Sequence, residues 1–270
     1  MLFLGILAKF VNTDVSKTDR IVRIRFIAIA VLLLSALSSC STGEIPVNRR
    51  ENWKFATRYA QSHRDAWHAI WSGFDIPADV AEAVIFPELV RYNWIQDSFE
   101  TSALEASYPE DGITGCDYSI GRFQMKPSFV EDLEKRWMRS GLGQKYGLIY
   151  DTGDSVEARQ ARFDRLKSEE GQCVYLAVYL RMLYLDYGSL DKDGQVLQAG
   201  LETLPRTEQA YLAATAYNHG TLWRSPGAGS LDRIRAVAAE KTFPLPNIWR
   251  TKTSLYSYGE LAARYHSQAF

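Results

Sequence analysis

Cysteine, histidine, long apolar runs and a surplus of either charge are all scarce in this 270-residue chain, and each scarcity closes off a class of function. Lys and Arg number 31 against 32 Asp and Glu, and no run of basic residues lies beyond residue 39. A protein that lives on nucleic-acid phosphates carries a basic face somewhere, so nucleic acid is not an expected partner. Only three cysteines occur, Cys40, Cys116 and Cys173, and they lack the spacing of a zinc site. His63 and His68 are five apart in HRDAWH, which on a helix turns them about 140° from one another. They cannot share a metal, and neither metal nor cofactor is expected. The longest apolar run, Phe26 to Leu37, is a dozen residues, short of the roughly 20 that span a bilayer. No internal repeat, heptad array or low-complexity tract is present.

What stands at the N-terminus reads as an address. Lys9, Lys17, Arg20, Arg23 and Arg25 precede the apolar run, and small residues follow it, the order of a secretory signal peptide. Leu37-Ser38-Ser39 directly before Cys40 resembles the bacterial lipobox, in which the cysteine is lipidated and begins the mature chain. An uncleaved signal anchor or a plain secretory peptide is the alternative. Ser41, not Asp, follows the cysteine, so nothing points to retention at an inner membrane. The expectation is a signal peptide over 1–39, a tether over 40–50 and a lipid anchor on Cys40. That places the protein in the bacterial cell envelope, at the outer membrane facing the periplasm. Without the five basic and two acidic residues of the first 39, the chain keeps 26 basic against 30 acidic residues. In an oxidising compartment Cys116 and Cys173 can form a disulfide; two free thiols fit the sequence equally well.

The rest is patterned as helix. Aromatics recur loosely over 51–72, and Asp75-Ile76-Pro77 looks like a helix start. In ADVAEAVIFPELVRYNW, the residues Ala81, Val84, Ile85 and Glu88 stand at i, i+3, i+4 and i+7. That spacing puts the Glu88 carboxylate on the apolar face, where a charge does not ordinarily belong. Pro87 should kink or end the helix. Helices are expected over 93–107, 127–140, 155–168, 171–187 and 206–219, with patches near 229–241 and 253–268. PEDGITG reads as a loop, 141–154 as another, and 191–194 as a polar turn. A small β-hairpin is expected around 113–126, within an otherwise mainly α domain.

Four segments then stand in a telling order: Glu88 on its apolar helix, Gly121-Arg-Phe-Gln124-Met-Lys-Pro127, Tyr179-Leu180, and Ala216-Tyr217-Asn218-His219-Gly220. This order resembles the lytic transglycosylases of the lysozyme-like superfamily, over roughly residues 75–225. The resemblance implies an α+β lysozyme-like fold in which one glutamate, Glu88, is the catalytic acid. Ser119, Gly121, Gln124, Tyr217 and Asn218 would line the groove that holds the glycan, and peptidoglycan strands would be the substrate. The domain would occupy 51–225, with an N-terminal helical extension inside it and a C-terminal helical extension over 226–270. Two departures stand out: Leu89 replaces the serine usual after the glutamate, and Glu88 precedes Gln124 by 36 residues where about twenty is usual. Glu105, 19 residues before Gln124, and Glu100 are therefore alternative acids.

The chemistry explains why an apolar setting is wanted. Protonating a glycosidic oxygen near neutral pH needs a carboxyl group with a raised pKa, and burial provides it by penalising the charged form. A hydrolase adds a second carboxylate, for which Asp97, Asp111 and Asp117 are available. In the family, the same glutamate instead deprotonates the substrate's C6 hydroxyl, and a 1,6-anhydro-muramyl end results. Some of the seven Trp and fifteen Tyr would suit stacking on sugar rings. A lysozyme-type hydrolase and a non-catalytic wall-binding lipoprotein remain the competing readings.

Overall fold

Proline and glycine punctuate the described helices, but two prolines do not stop them. The computed structural model describes residues 48–188, 200–220, 231–239 and 258–270. The expected signal peptide, Cys40, the tether as far as residue 47, the turn at 191–194, Trp249 and Tyr256 lie outside the described residues. Within them the fold is mainly α, with no strand. The helices are α1 (Asn48–Ser72), α2 (Ala78–Arg91), α3 (Trp94–Asp111), α4 (Pro127–Ser140), α5 (Leu142–Lys145), α6 (Val156–Lys167), α7 (Glu169–Asp186), α8 (Arg206–His219), α9 (Leu231–Ala239) and α10 (Tyr258–Ala269). The expected hairpin reduces to one antiparallel bridge between Ile120 and Met125. No helix among the described residues is long and apolar enough to cross a membrane.

Helix α2 is the axis of the packing. Every residue from Val80 to Val90 is buried, so this helix is wrapped on all sides. It runs through Pro87 to Arg91 instead of ending there. Burying Val84, Ile85, Phe86 and Leu89, at about 1.5–3 kcal/mol each, outweighs the roughly 3 kcal/mol an internal proline costs. Helix α3 likewise continues past Pro109 to Asp111, into the expected loop. There Arg159 donates to the carbonyls of Pro109 and Glu110, both at 2.8 Å, and satisfies groups that a helix end leaves without partners.

Helices α1 and α2 form an antiparallel pair. Asn52 donates to the Val90 carbonyl at one end, and Arg64 and His68 meet the fully buried Glu82 nearer the other. Helix α10 lies antiparallel on α2 as well: His266 meets Asp79, Tyr265 donates to Glu82, and Tyr258 reaches Glu88. The rings of Phe86 and Tyr265 stack 3.6 Å apart. Helix α8 closes against α10, where Gly259 permits the approach: a Cβ there would fall 2.6 Å from the Tyr211 carbonyl. Glu44–Phe270 form one compact unit, so α10, expected in a C-terminal extension, packs in the middle of it. A second buried carboxylate, Glu134 of α4, ties α6 and α7 in place through Arg162, Arg165 and Tyr175.

Candidate active site

Glu88 sits one turn before the end of α2, only 7 % exposed. Burial pushes its carboxyl pKa up, and the Arg91 charge and the Tyr258 hydroxyl pull against that without cancelling it. Arg91 Nη1 stands 3.6 Å from Glu88 Oε2, close enough to orient the carboxylate but longer than a good charge-assisted hydrogen bond. The Tyr258 hydroxyl is buried beside Glu88 yet too loosely placed for a full hydrogen bond. Tyr217 and Tyr258 both feel the Glu88 charge, and burial together with that charge holds their hydroxyls protonated well above the usual tyrosine range. The result is a carboxyl group between two neutral phenols, in a setting that favours its protonated form.

The turn Gly121-Arg122-Phe123-Gln124 is carried by the Ile120–Met125 bridge. Gly121 has φ +73° and Gln124 φ +52°, and the second is uncommon for a residue with a side chain. Gln124 is held there because its backbone N–H and its side-chain amide both donate to the Gly121 carbonyl, at 3.2 and 2.9 Å. Its amide oxygen takes no protein donor among the described residues, which leaves an acceptor for a ligand. Behind the turn, buried Gln172 of α7 accepts from Phe123 N and donates to the Ile120 and Leu166 carbonyls. Gly121 is obligatory on two counts, its φ and the Gln172 amide: a Cβ would lie 1.7 Å from Nε2.

Tyr217 joins the two halves. Its hydroxyl donates to the Phe123 carbonyl at 2.7 Å, not to Glu88, while its ring packs edge-on to Tyr179 with centroids 5.3 Å apart. Tyr217 thus touches the Gly121–Gln124 turn through Phe123, packs on Tyr179 and feels the Glu88 charge. Ser119 lies half-buried just before the bridge, and Asn218 half-buried in the last turn of α8, beside Tyr217. In the same turn the Arg122 guanidinium packs on the rings of Tyr59 and Tyr92, 4.4 and 3.8 Å from their centroids. Glu88 therefore pairs with Arg91, not with Arg122.

The alternative carboxylates separate clearly. Glu105 is exposed and forms a surface pair with Lys167 at 3.2 Å, which is no setting for an acid catalyst. Glu100 is buried, accepts from Gln96 and has its pKa raised by burial. Asp97 is fully engaged by the Tyr92 hydroxyl and Gly121 N. Asp117 caps α4 through Ser128 N and Oγ, both at 2.8 Å. Asp111 is exposed at the end of α3.

Cys116 and Cys173 are free thiols rather than a disulfide. Cys173 faces the core from α7, where its carbonyl accepts from Trp71. Cys116 lies beside Ser107 and Tyr118, with Glu100 near enough to raise its pKa further. His68 is committed to Glu82, and His63 stacks on Tyr59.

Gln172 and Tyr258 were not legible as site residues. A polar Gln172 in the first turn of an otherwise apolar helix was the available signal for the first; nothing local marks the second. A cavity of about 370 Å³ lies elsewhere, lined by Asp75, Pro77, Arg181, Tyr184 and Arg206 among others. It sits at the opposite end of α2, some 16 Å along the helix from Glu88, and does not include the 120–125 turn. Comparison with models of protein families, with characterised proteins and with solved structures finds no match.

Proposed function

We propose that the protein is a peptidoglycan lytic transglycosylase, held at the cell envelope by a lipid on Cys40 and facing the periplasm. The observation that carries this reading is the buried Glu88 carboxyl, its pKa raised, next to the Gly121–Gln124 turn and linked to it through Tyr217. Glu88 protonates the oxygen between N-acetylmuramic acid and N-acetylglucosamine as the bond breaks. The resulting carboxylate then takes the proton of the C6 hydroxyl, whose oxygen attacks the anomeric carbon and closes the 1,6-anhydro ring. Arg91 stabilises the ionised form between these steps. The free amide oxygen of Gln124, together with half-buried Ser119 and Asn218, binds the sugar's hydroxyl and amide groups. The hydrogen-bonded states of Asp97 and Asp117 favour a single-acid mechanism, since neither carboxylate is available as a base or nucleophile.

Glu100 favours a second reading. A second buried carboxyl near the turn is the feature a lysozyme-type hydrolase of the same bond would use. The deciding experiment incubates the full chain with purified sacculi and reads the released sugar ends by mass spectrometry. Anhydro-muramyl ends that vanish in Glu88→Gln support the transglycosylase. Reducing ends that vanish in Glu100→Gln move the assignment to the hydrolase. Binding to sacculi with no cleavage by the parent chain leaves a wall-binding lipoprotein, consistent with Leu89 in place of the usual serine.

A further inference from the structure

Arg122 is a cation packed on aromatic rings, with no countercharge. The guanidinium packs against two phenol rings, those of Tyr59 and Tyr92, and the hydroxyl of each phenol is held by a carboxylate. Tyr92 donates to Asp97, whose other oxygen holds Gly121 N, and Tyr59 donates to Glu169. Those carboxylates are spent on tyrosines and backbone. No acidic side chain among the described residues forms an ion pair with Arg122. By contrast, Arg91 beside the site meets Glu88, and farther off Arg162 and Arg165 meet Glu134.

A guanidinium stays protonated at any physiological pH, and its in-plane fork matches a carboxylate. Packing against two rings restricts the side chain in advance, so less rotamer freedom is lost when a ligand binds. Arg122 is two residues from Gln124 in the same turn, and both side chains are only half-buried, so a strand held by Gln124 comes within reach of Arg122. We infer that Arg122 is a subsite for a carboxylate carried by the glycan strand. This rests on the glycan-cleaving reading and narrows it to strands bearing acidic substituents. Two sources share the chemistry: the lactyl carboxylate of a bare muramyl residue, and the carboxylates of an attached stem peptide.

The test measures co-sedimentation of the full chain in detergent, in a Glu88→Gln background so that the polymer stays intact. The polymers are native sacculi, sacculi whose carboxylates have been converted to carboxamides, and amidase-stripped strands in native and capped form. The Glu88→Gln parent should prefer native over capped sacculi by about tenfold or more. With Arg122→Gln that ratio should fall to near one, and with Arg122→Lys, which keeps the charge without the planar fork, to a value between. A preference that survives on stripped strands assigns the lactyl carboxylate; one lost on them assigns the stem peptide. If Arg122 only rivets α1 to the turn, Arg122→Gln weakens both bindings together and leaves the ratio alone, which overturns the inference. A parent that binds both sacculi equally also overturns it while the glycan reading stands. A parent that binds neither removes both.

Discussion

The Tyr217 hydroxyl donates to the Phe123 carbonyl across 2.7 Å, joining the last turn of α8 to the turn that holds Gln124. The partners are 94 residues apart in sequence, and the bond is what brings two separate sequence elements to Glu88. Tyr217→Phe keeps the ring against Tyr179 but leaves the carbonyl without this donor. It should cost about 1–3 kcal/mol, seen as a Tm lower by roughly 2–10 °C, and muropeptide release should fall more than stability alone explains. A variant with parental Tm and parental release would show the bond to be dispensable.

The buried acid sets a pH dependence of defined sign. Burial raises the Glu88 pKa above its ordinary 4.5, so between that value and the folded-state pKa the folded chain binds more protons than the unfolded one. Stability therefore falls as pH rises through this window and stays reduced above it. Glu88→Gln removes the Glu88 share, and Glu100, whose pKa is raised in the same direction, keeps its own. Urea unfolding from pH 4 to pH 8 should show Glu88→Gln gaining on the parent as pH rises. Parallel curves would mean that the carboxyl is not perturbed.

Gly121 and Gln172 test how tightly the turn is built. Gly121→Ala must place a Cβ at φ +73° and against the Gln172 amide, and should cost at least about 2 kcal/mol. Gln172→Ala frees the space but leaves buried Phe123 N without its acceptor and the Leu166 carbonyl without the Gln172 amide, so the double variant should not recover parental stability. Thermal unfolding of the three variants measures this; full recovery in the double variant would reduce Gln172 to a steric neighbour.

Removing Glu134 should be the most damaging change away from the site. Its carboxylate is fully buried and holds Arg162 and Arg165, and Arg162 is itself buried. Glu134→Leu leaves Arg162 with only the longer contact to Glu131, at 3.7 Å, and the Tyr108 hydroxyl, at an expected cost of about 3 kcal/mol. Chemical denaturation reads it directly, and a loss under 1 kcal/mol would contradict the network.

Cys116 and Cys173 should both titrate as thiols once the purified chain is unfolded, with no mass change on reduction. In the folded chain half-buried Cys116 reacts first, because Cys173 is enclosed. Finding the two cysteines cross-linked in protein taken from an oxidising compartment would reverse the assignment.

Much of this could be read from one dimension. The i, i+3, i+4, i+7 spacing around Glu88 correctly placed the carboxylate on a buried face, and Pro127 and Gly141 marked the ends of α4. Local rules failed where a distant group took over. Pro87 and Pro109 look like helix ends until the burial around α2 and the Arg159 bonds to the α3 terminus are added. Gln172 finds the turn across 49 residues and Tyr258 reaches Glu88 from the far end of the chain; no pattern within either segment foretells that. The reading of Gln124 also sharpened: its nitrogen holds the turn, and only its oxygen is left for a ligand.

Helix α10, the latest-made of the described helices, lays Tyr258 beside Glu88 and Tyr265 against Glu82. A chain interrupted before residue 258 would already contain the acid and the Gly121–Gln124 turn, but α2 would have one flank open to water. There the Glu88 carboxyl would regain solvent, and its pKa would drift back toward that of a free side chain. Completion of the chain thus sets the ionisation of Glu88: the carboxyl leaves the ordinary carboxylate range only once α10 has closed on α2.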